Sequence, residues 1–345
     1  MTGRKISEDK FLGHFMMAWA KNLPPGISVG HLEAFHKENY EQMLPRVTRF
    51  VDALSAADVA ILIALEEEWD VFWPIAGRPN GLKDEKSGRY YYPFDVMAAD
   101  GRPYRCIAVC MHTTGTAQAV DASHLLLEEK PKTLVNIGIA AAIHSDLRLG
   151  DVIVADQVDN YLETTKATAT GRKGFRFEFR GSVYKTTYSF VQDALSLKYA
   201  HPEAFDRWCI ACRSPVEHEL AVVDKARREG LLREVPRLER VHLASGPTVG
   251  AAESFSKWIQ SRDSQLKALE MEAGGMMLAA HQRRDPASTL VLRGISDFGD
   301  RRKTKMDTSS GGAFRRLAMW NATQLLWTMM SHGLLPRHEI SPDKK

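Results

Sequence analysis

The chain has 345 residues and a net charge of +3, from 46 basic and 43 acidic residues. This near balance predicts neither a nucleic-acid nor a membrane partner, because the whole-chain field favours neither polyanions nor anionic lipid. Hydrophobic residues make up 44% and charged residues 26%, which is ordinary for a globular protein and excludes extensive disorder.

Four cysteines are too few for a disulfide scaffold and favour a reducing, cytoplasmic compartment. Cys209 and Cys212 form one CxxC motif without a second pair, whereas a closed structural zinc site needs four ligands. The sequence contains no HExxH motif, no GxGxxG motif and no Walker A loop. We therefore expect neither a metal ion nor another cofactor.

Residues 1–55 are predicted to form a helical N-terminal extension. Apolar residues recur there at roughly helical spacing, and the segment 22–26, Asn-Leu-Pro-Pro-Gly, separates two helices. The pattern then changes to apolar runs, which predicts a main domain over 56–335 and a short tail over 336–345.

Continuous apolar runs of strand length mark the main domain, and such runs are typical of strands that are covered on both faces. They lie at 58–65, 104–110, 133–137, 151–155, 241–245 and 289–295. Helical patterns lie between several of them, at 116–130, 217–233, 273–284 and 312–332. This alternation predicts an α/β fold with a single mixed, mostly parallel sheet flanked by helices. In such sheets ligands bind beyond the carboxyl ends of the strands.

An insertion at about 163–215 interrupts this alternation. Its first part, 165–185, alternates aromatic with basic residues between glycines, which predicts a hairpin or a loop. Two interpretations stay open: a hairpin with one solvated basic face, or a flap that contacts an anionic substrate group. In the second, the contacting cations are Lys166, Arg172, Lys173 and Arg176.

Acidic residues follow three of the predicted strand or turn segments, at 66–68, at Glu270 and Glu272, and at Asp297. Each alone has an ordinary explanation, because acids stabilise the first turn of a helix and Asp is a normal N-cap. We expect all three groups on one rim of the sheet, where like charges repel one another and cost stability. Carboxylates held close also separate their pKa values, so that one donates a proton while another stays a base. Such a set can cleave a glycosidic bond.

Seven short segments occur in one family's order across about residues 58–330, and each is weak alone but specific in order. They are 63–68 (Ile-Ala-Leu-Glu-Glu-Glu), 114–115 (Thr-Gly), 135–140 (Val-Asn-Ile-Gly-Ile-Ala), 149–154 (Leu-Gly-Asp-Val-Ile-Val), 244–246 (Ala-Ser-Gly), 269–273 (Leu-Glu-Met-Glu-Ala) and 292–297 (Leu-Arg-Gly-Ile-Ser-Asp). By these segments the chain resembles the purine nucleoside phosphorylase and uridine phosphorylase superfamily. Within it, the chain is most similar to the methylthioadenosine/S-adenosylhomocysteine nucleosidase branch.

The resemblance implies roles for individual residues. Glu68 corresponds to the base that activates water, Glu272 to the residue that holds the ribose hydroxyls, and Asp297 to the acid that protonates purine N7. Ser296 would orient Asp297, and Met271 would lie beneath the sugar. The resemblance also implies a supporting role for Arg293, and substrate contacts from Thr114, Gly115, Ser245, Gly246 and Val249.

Water is the expected second substrate. The phosphorylases of this family carry a glycine and arginine anchor for phosphate after the first strand, whereas the three acids at 66–68 would repel an anion. Arg78 comes about ten residues too late to replace that anchor. We predict a purine nucleosidase that hydrolyses the N-glycosidic bond of an adenosine-type nucleoside, methylthioadenosine and adenosylhomocysteine being the implied substrates. The resemblance also implies a homo-oligomer.

Three alternatives stay open: a nucleotide nucleosidase acting on AMP or ATP as a defence effector, a phosphate-dependent nucleoside phosphorylase, and a non-catalytic nucleoside-sensing module. The N-terminal extension and the basic insertion favour a larger or more anionic substrate. Two turns also depart from the family pattern. Residues 138–142, Gly-Ile-Ala-Ala-Ala, are bulkier than the family's turn, and residues 245–248, Ser-Gly-Pro-Thr, replace Ser-Gly-Asp. The preferred base and 5′ group therefore stay undetermined.

Overall fold

The computed structural model describes residues 56–84, 87–170, 174–250 and 252–339. The predicted extension over 1–55 and the end of the predicted tail, from 340, lie outside these residues. Contacts between Cα atoms separate a compact unit that comprises residues 57–82 and 90–337. The elements that form the site all belong to this unit.

Strands and helices alternate through the described residues. The strands are β1 Val59–Ile63, β2 Leu82–Lys83, β3 Tyr90–Met97, β4 Pro103–Cys110, β5 Thr133–Ala142, β6 Val152–Thr170, β7 Gly174–Lys185, β8 Leu238–Ser245, β9 Leu266–Glu270 and β10 Ser288–Asp297. The helices are α1 Glu66–Ile75, α2 Thr116–Glu128, α3 Tyr188–Ala200, α4 Pro202–Ala211, α5 Leu220–Arg228, α6 Glu253–Arg262, α7 Ala273–His281, α8 Lys303–Ser310 and α9 Ala313–Ser331, with a 3₁₀ turn at Glu217–Glu219.

Five strands close into a ring. β5 pairs with β10 in parallel, β10 with β6 antiparallel, β6 with β8 and β8 with β9 in parallel, and β9 returns to β5 antiparallel. β1, β4 and β3 extend the sheet outward from β5, with β1 parallel to both β4 and β5. The sheet is therefore mixed and flanked by helices, and the predicted α/β fold is confirmed.

Burial on both faces explains why the strands are continuous apolar runs. All five residues of β1 are buried, and successive side chains enter two different core clusters. Ile61 packs in the cluster that contains Phe72 of α1 and Leu325 of α9. Leu62 packs in the other, with Leu126 of α2 and other residues of the opposite face. A strand covered on both faces needs no polar side, so the alternation typical of half-exposed strands is absent.

The predicted insertion contains a long antiparallel ribbon followed by two helices. β6 and β7 pair antiparallel from Gln157 with Lys185 out to Thr170 with Gly174, so the described residues of 165–185 belong to two paired strands. α3 and α4 complete the insertion, and neither was predicted. Among the helices of the described residues, none is long and apolar enough to cross a membrane.

Gly294 of β10 is required by the close approach of α9. A Cβ at this position would overlap the carbonyl of Ala318. We expect Gly294→Ala to lower the free energy of unfolding by about 2 kcal/mol, because overpacking a buried contact forces the backbone to shift. Denaturant unfolding of this variant and of Ser288→Ala, at the start of the same strand, measures the effect. Equal stability of Gly294→Ala and the wild type would contradict this packing.

Candidate active site

One pocket opens at the carboxyl ends of three adjacent parallel strands. β1, β5 and β10 end there, and the cavity has a volume of about 170 Å³. Seven of the residues predicted to form a site line it: Glu68, Thr114, Val249, Met271, Glu272, Ser296 and Asp297.

Glu68, Glu272 and Asp297 line one pocket, although the strand before Glu272 runs antiparallel to the strands beside the other two acids. β9 runs antiparallel to β5, with Ala141 opposite Leu269, so its carboxyl end points away from the rim formed by β1, β5 and β10. Because β9 is only five residues long and pairs with the last residues of β5, its end at Glu270 still lies close to the rim. Glu272 therefore reaches the rim from the turn after β9, whereas Glu68 and Asp297 lie at or just beyond the ends of strands that point to the rim.

Arg293 lies among the acids at the base of the pocket and is 1% exposed. Its Nη2 donates hydrogen bonds to Asn136 Oδ1 and to Glu270 Oε2, and lies 3.7 Å from Glu272 Oε2. Gly138 leaves the space for this arrangement, because a Cβ there would collide with the guanidinium and come within 2.6 Å of Glu68 Oε1. The absence of a side chain at Gly138 thus leaves room for both the guanidinium of Arg293 and the carboxyl group of Glu68.

Glu68 is held by backbone amides on both of its oxygens. The N–H of Leu65 donates to Oε2 at 2.9 Å, and the N–H of Ile139 donates to Oε1 at 2.8 Å. Glu68 lies in the first turn of α1, so the end of β1 and the end of β5 together fix its position. Burial raises the pKa of Glu68, and the positive charge of Arg293 opposes that rise.

Glu272 is the residue before α7, and its Oε1 accepts a hydrogen bond of 3.2 Å from the N–H of Gly115. Burial and the neighbouring Glu270 raise its pKa to about 8, although Arg293 acts in the opposite direction. Glu270 itself accepts hydrogen bonds from the backbone amides of Glu272 and Ala273. Both acids line the pocket, and Glu270 accepts more hydrogen bonds from the protein than Glu272 does.

Asp297 is surrounded by donors and is 2% exposed. The Ser296 hydroxyl lies 3.1 Å from Oδ2, and the N–H of Gly299 donates to Oδ1 at 2.9 Å. The ammonium of Lys303, the first residue of α8, lies 2.5 Å from Oδ2. Ser296 thus contacts Asp297 as the resemblance implied, and Lys303 adds a contact that was not predicted.

Some predicted residues lie behind the pocket and do not line it. The Ser245 hydroxyl accepts a hydrogen bond of 2.8 Å from the N–H of Gly274, in the first turn of α7, and Gly246 N–H donates to the Glu270 carbonyl. Both residues therefore support the elements that carry Glu270 and Glu272. Lys166 is exposed on the ribbon and does not line the pocket. Arg172 and Lys173 lie outside the described residues, as does the side chain of Arg176.

Two cations in the pocket, Lys303 and Arg315, were missed. Arg315, near the start of α9, forms an ion pair with Glu67 and lies 3.9 Å from Asp307. Its Nε is buried and has no hydrogen-bond partner among the described residues. The sequence signal for Lys303 was a basic run at 301–303, which is more typical of a solvated surface. Within the described residues, no cluster of three or more His, Cys, Asp or Glu side chains could hold a metal ion.

The raised pKa of Glu272 predicts a pH-dependent stability. The folded protein binds this proton more tightly than the unfolded chain, whose Glu has a pKa of 4.5. The free energy of unfolding should therefore fall as the pH rises from about 4.5 through 8, and each unit of pKa difference contributes about 1.4 kcal/mol. Glu272→Gln has no proton to lose, so its stability should fall less over this interval. Denaturant unfolding at several pH values tests this, and parallel curves for the two proteins would contradict it.

Comparison with known proteins places the fold and the family. Among curated proteins, an ATP nucleosidase, Cap17 of Escherichia coli, is 26% identical over 288 residues, which are 81% of this chain and 52% of the relative. An uncharacterised protein of Sinorhizobium fredii, y4jS, is 25% identical over 210 residues, 59% of this chain and 46% of the relative. The chain spans about half the length of the curated relatives it matches.

Solved structures share the fold at low sequence identity. The MTA/SAH nucleosidase of Streptococcus pneumoniae has a TM-score of 0.56 at 17% identity, covering 79% of this chain and 99% of that one. The futalosine hydrolase of Helicobacter pylori has a TM-score of 0.55 at 16% identity, covering 80% and 97%. The family model of the phosphorylase superfamily matches residues 104–331. Because this match covers more than half of the chain, the chain belongs to the phosphorylase superfamily.

Proposed function

We propose that this chain is an N-ribosyl hydrolase that releases adenine from an adenosine-type substrate. The observation that carries the proposal is the set of three buried acids, Glu68, Glu272 and Asp297, which line one pocket in three different environments. The named curated relative is a nucleosidase, and the neighbours in fold include nucleosidases and a hydrolase. The division of labour among the acids follows from their surroundings.

Asp297 is the proposed contact for the purine. A purine anion is a poor leaving group, and protonation at N7 converts it into a neutral base as the glycosidic bond breaks. Ser296 and Gly299 hold the carboxyl group by one donor on each oxygen, so its orientation is fixed before the substrate arrives. Fixed orientation of a proton-transferring group contributes to the rate because no reorganisation is needed during the reaction.

Glu272 is the proposed contact for the ribose hydroxyls. The ribosyl centre becomes cationic as the base departs, and a carboxylate beside it stabilises that charge more in the transition state than in the ground state. The raised pKa of Glu272 means that burial disfavours its charge in the empty pocket. A developing cation offsets this cost, so the stabilisation is largest when the bond is breaking.

Glu68 is the proposed base for the attacking water. Burial raises its pKa, which makes its carboxylate a stronger base than an exposed Glu. The efficiency of a general base increases as its pKa approaches the working pH. Glu67 is paired with Arg315 and Glu66 is exposed, so the proposed preference for water over inorganic phosphate rests on the carboxyl group of Glu68 in the pocket.

Release of adenine with and without inorganic phosphate tests this function. We expect the wild type to release adenine from adenosine, methylthioadenosine, adenosylhomocysteine, AMP or ATP without phosphate, measured by chromatography. Asp297→Asn should lower kcat about 100-fold or more, the usual range for removing a general acid. Asp300→Asn, three residues later and outside this pocket, is the matched control. A strict requirement for phosphate would identify a phosphorylase, and full activity of Asp297→Asn would contradict the assigned acid.

A nucleotide is the second candidate substrate, favoured by Arg315. Its guanidinium lines the pocket and keeps one buried N–H without a partner among the described residues. Such a donor suits a phosphate oxygen, since hydrogen bonds between charged groups are about twice as strong as neutral ones. The curated relative from E. coli is named for ATP. In this candidate Arg315 replaces the predicted contacts from Lys166, Arg172, Lys173 and Arg176. The homo-oligomer implied by the resemblance stays a prediction.

Arg315→Met should lower the preference for AMP over adenosine. We expect the ratio of their kcat/KM values to fall about 10-fold, because a hydrogen bond to a charged group contributes about 1.5–3 kcal/mol. Arg302→Met removes a nearby cation that does not line the pocket and should leave the ratio unchanged. An unchanged ratio in Arg315→Met would show that this residue does not select the 5′ group.

A further inference from the structure

Lys303 forms the closest charged contact of Asp297. Its ammonium lies 2.5 Å from Asp297 Oδ2, and the Lys side chain is 19% exposed where the Asp side chain is 2% exposed. The contact is local to the turn after β10, because only five residues lie between the end of that strand and the start of α8. A short distance between an ammonium and a carboxylate marks a strong, charge-assisted hydrogen bond.

Each contact of Asp297 comes from a group that donates. Oδ1 accepts from the N–H of Gly299, and Oδ2 accepts from the Ser296 hydroxyl and from Lys303. Among the described residues, Asp297 thus accepts three hydrogen bonds and donates none. Of the three donors, the ammonium of Lys303 is the one from a side chain that ordinarily gains and loses a proton.

We propose that Lys303 supplies the proton that Asp297 passes to purine N7. The inference rests on the proposed N-ribosyl hydrolysis. As the bond between C1′ and N9 breaks, its electron pair goes to the purine. One proton moves from Lys303 Nζ to Asp297 Oδ2, and Asp297 gives one proton to N7. The water that attacks C1′ loses its proton to Glu68. Afterwards Lys303 regains a proton from solvent and Glu68 releases one.

The chemistry of the pair suits this reaction. A departing purine anion is a base of a strength comparable to an amine, so an ammonium can protonate it without a large energetic penalty. The partial exposure of Lys303 gives it access to solvent, from which it can be reprotonated.

A second acid holds Lys303 in place. Asp307 lies 4.0 Å from the ammonium, and the same carboxylate lies 3.9 Å from Arg315. Asp297, Lys303, Asp307, Arg315 and Glu67 thus form a row of alternating charges, of which Asp297, Lys303 and Arg315 line the pocket. Lys303 acts in this scheme through Asp297 and makes no contact of its own with the purine.

Two variants and two leaving groups test the inference. Lys303→Met removes the cation, and Lys303→Arg keeps a cation that cannot give up its proton. The substrates are adenosine and 6-chloropurine riboside, with the 5′ group that the wild type prefers. The chloropurine anion is the weaker base and so depends less on protonation. Arg302→Met, which removes the preceding cation, is the matched control, and single-turnover release of base is the readout.

For adenine, we expect both Lys303 variants to lose about 100-fold or more in the rate of base release, the usual range for proton transfer. For chloropurine, the loss should be less than about 10-fold, because protonation contributes less of the rate. Equal losses for the two leaving groups would overturn the inference, as would full activity of Lys303→Arg, which would reduce the role of Lys303 to charge alone. Failure of the wild type to release any base would instead overturn the proposed function.

Discussion

The site depends on one buried cation. Arg293 has lost nearly all contact with solvent, and it lies among Glu68, Glu270 and Glu272, which are buried as well. Removing one member of such a group is costly, because the remaining charges are left unpaired in a medium that solvates them poorly. The positive charge of the guanidinium offsets the repulsion among these acids, and the surrounding residues leave space for it and hydrogen-bond to it. Gly138 leaves the space, Asn136 accepts one hydrogen bond, and Glu270 accepts another while it holds the start of α7.

The cation acts unequally on the acids, and this separates their chemistry. Glu270 accepts hydrogen bonds from Arg293 and from backbone amides, so its carboxylate has a structural role. Glu272 lies farther from the guanidinium than Glu270 does. Burial and the negative charge of Glu270 raise the pKa of Glu272 to about 8. Asp297 lies beside a different cation, Lys303. Glu68 is held by two backbone amides. Glu68, Glu272 and Asp297 thus lie in three different environments, which suits the proposed division into a base, a cation-stabilising group and a proton donor.

The fold could be predicted from the sequence wherever burial is complete on both faces of a strand. β1, β4, β5 and β10 are mostly apolar and mostly buried, and their apolar runs identified them. β9, Leu-Lys-Ala-Leu-Glu, was not predicted because it is short and partly polar, and β3 was not predicted because most of its side chains are partly or fully exposed. Because β9 was not predicted, its antiparallel direction was not predicted either, and the sequence did not show that Glu272 follows an antiparallel strand.

The acids themselves were identifiable because their motifs occur in a fixed order, which is a property of the chain alone. Lys303 and Arg315 were not, because their importance arises from the return of α8 and α9 to the pocket. A basic run after a strand is commonly a solvated surface, and only the position of the Asp297 carboxylate distinguishes Lys303 from its neighbours Arg301 and Arg302. Ser245 shows the converse: its motif matched, yet its hydroxyl supports α7 from behind the pocket.

A crystal structure of Asp297→Asn with an unhydrolysed adenosine-type substrate tests the arrangement of roles most directly. The predicted result has purine N7 against residue 297, the ribose hydroxyls on Glu272, and a water between Glu68 and C1′. A complex in which the ribose hydroxyls lie away from Glu272, or in which the purine occupies the Glu68 end of the pocket, would contradict it.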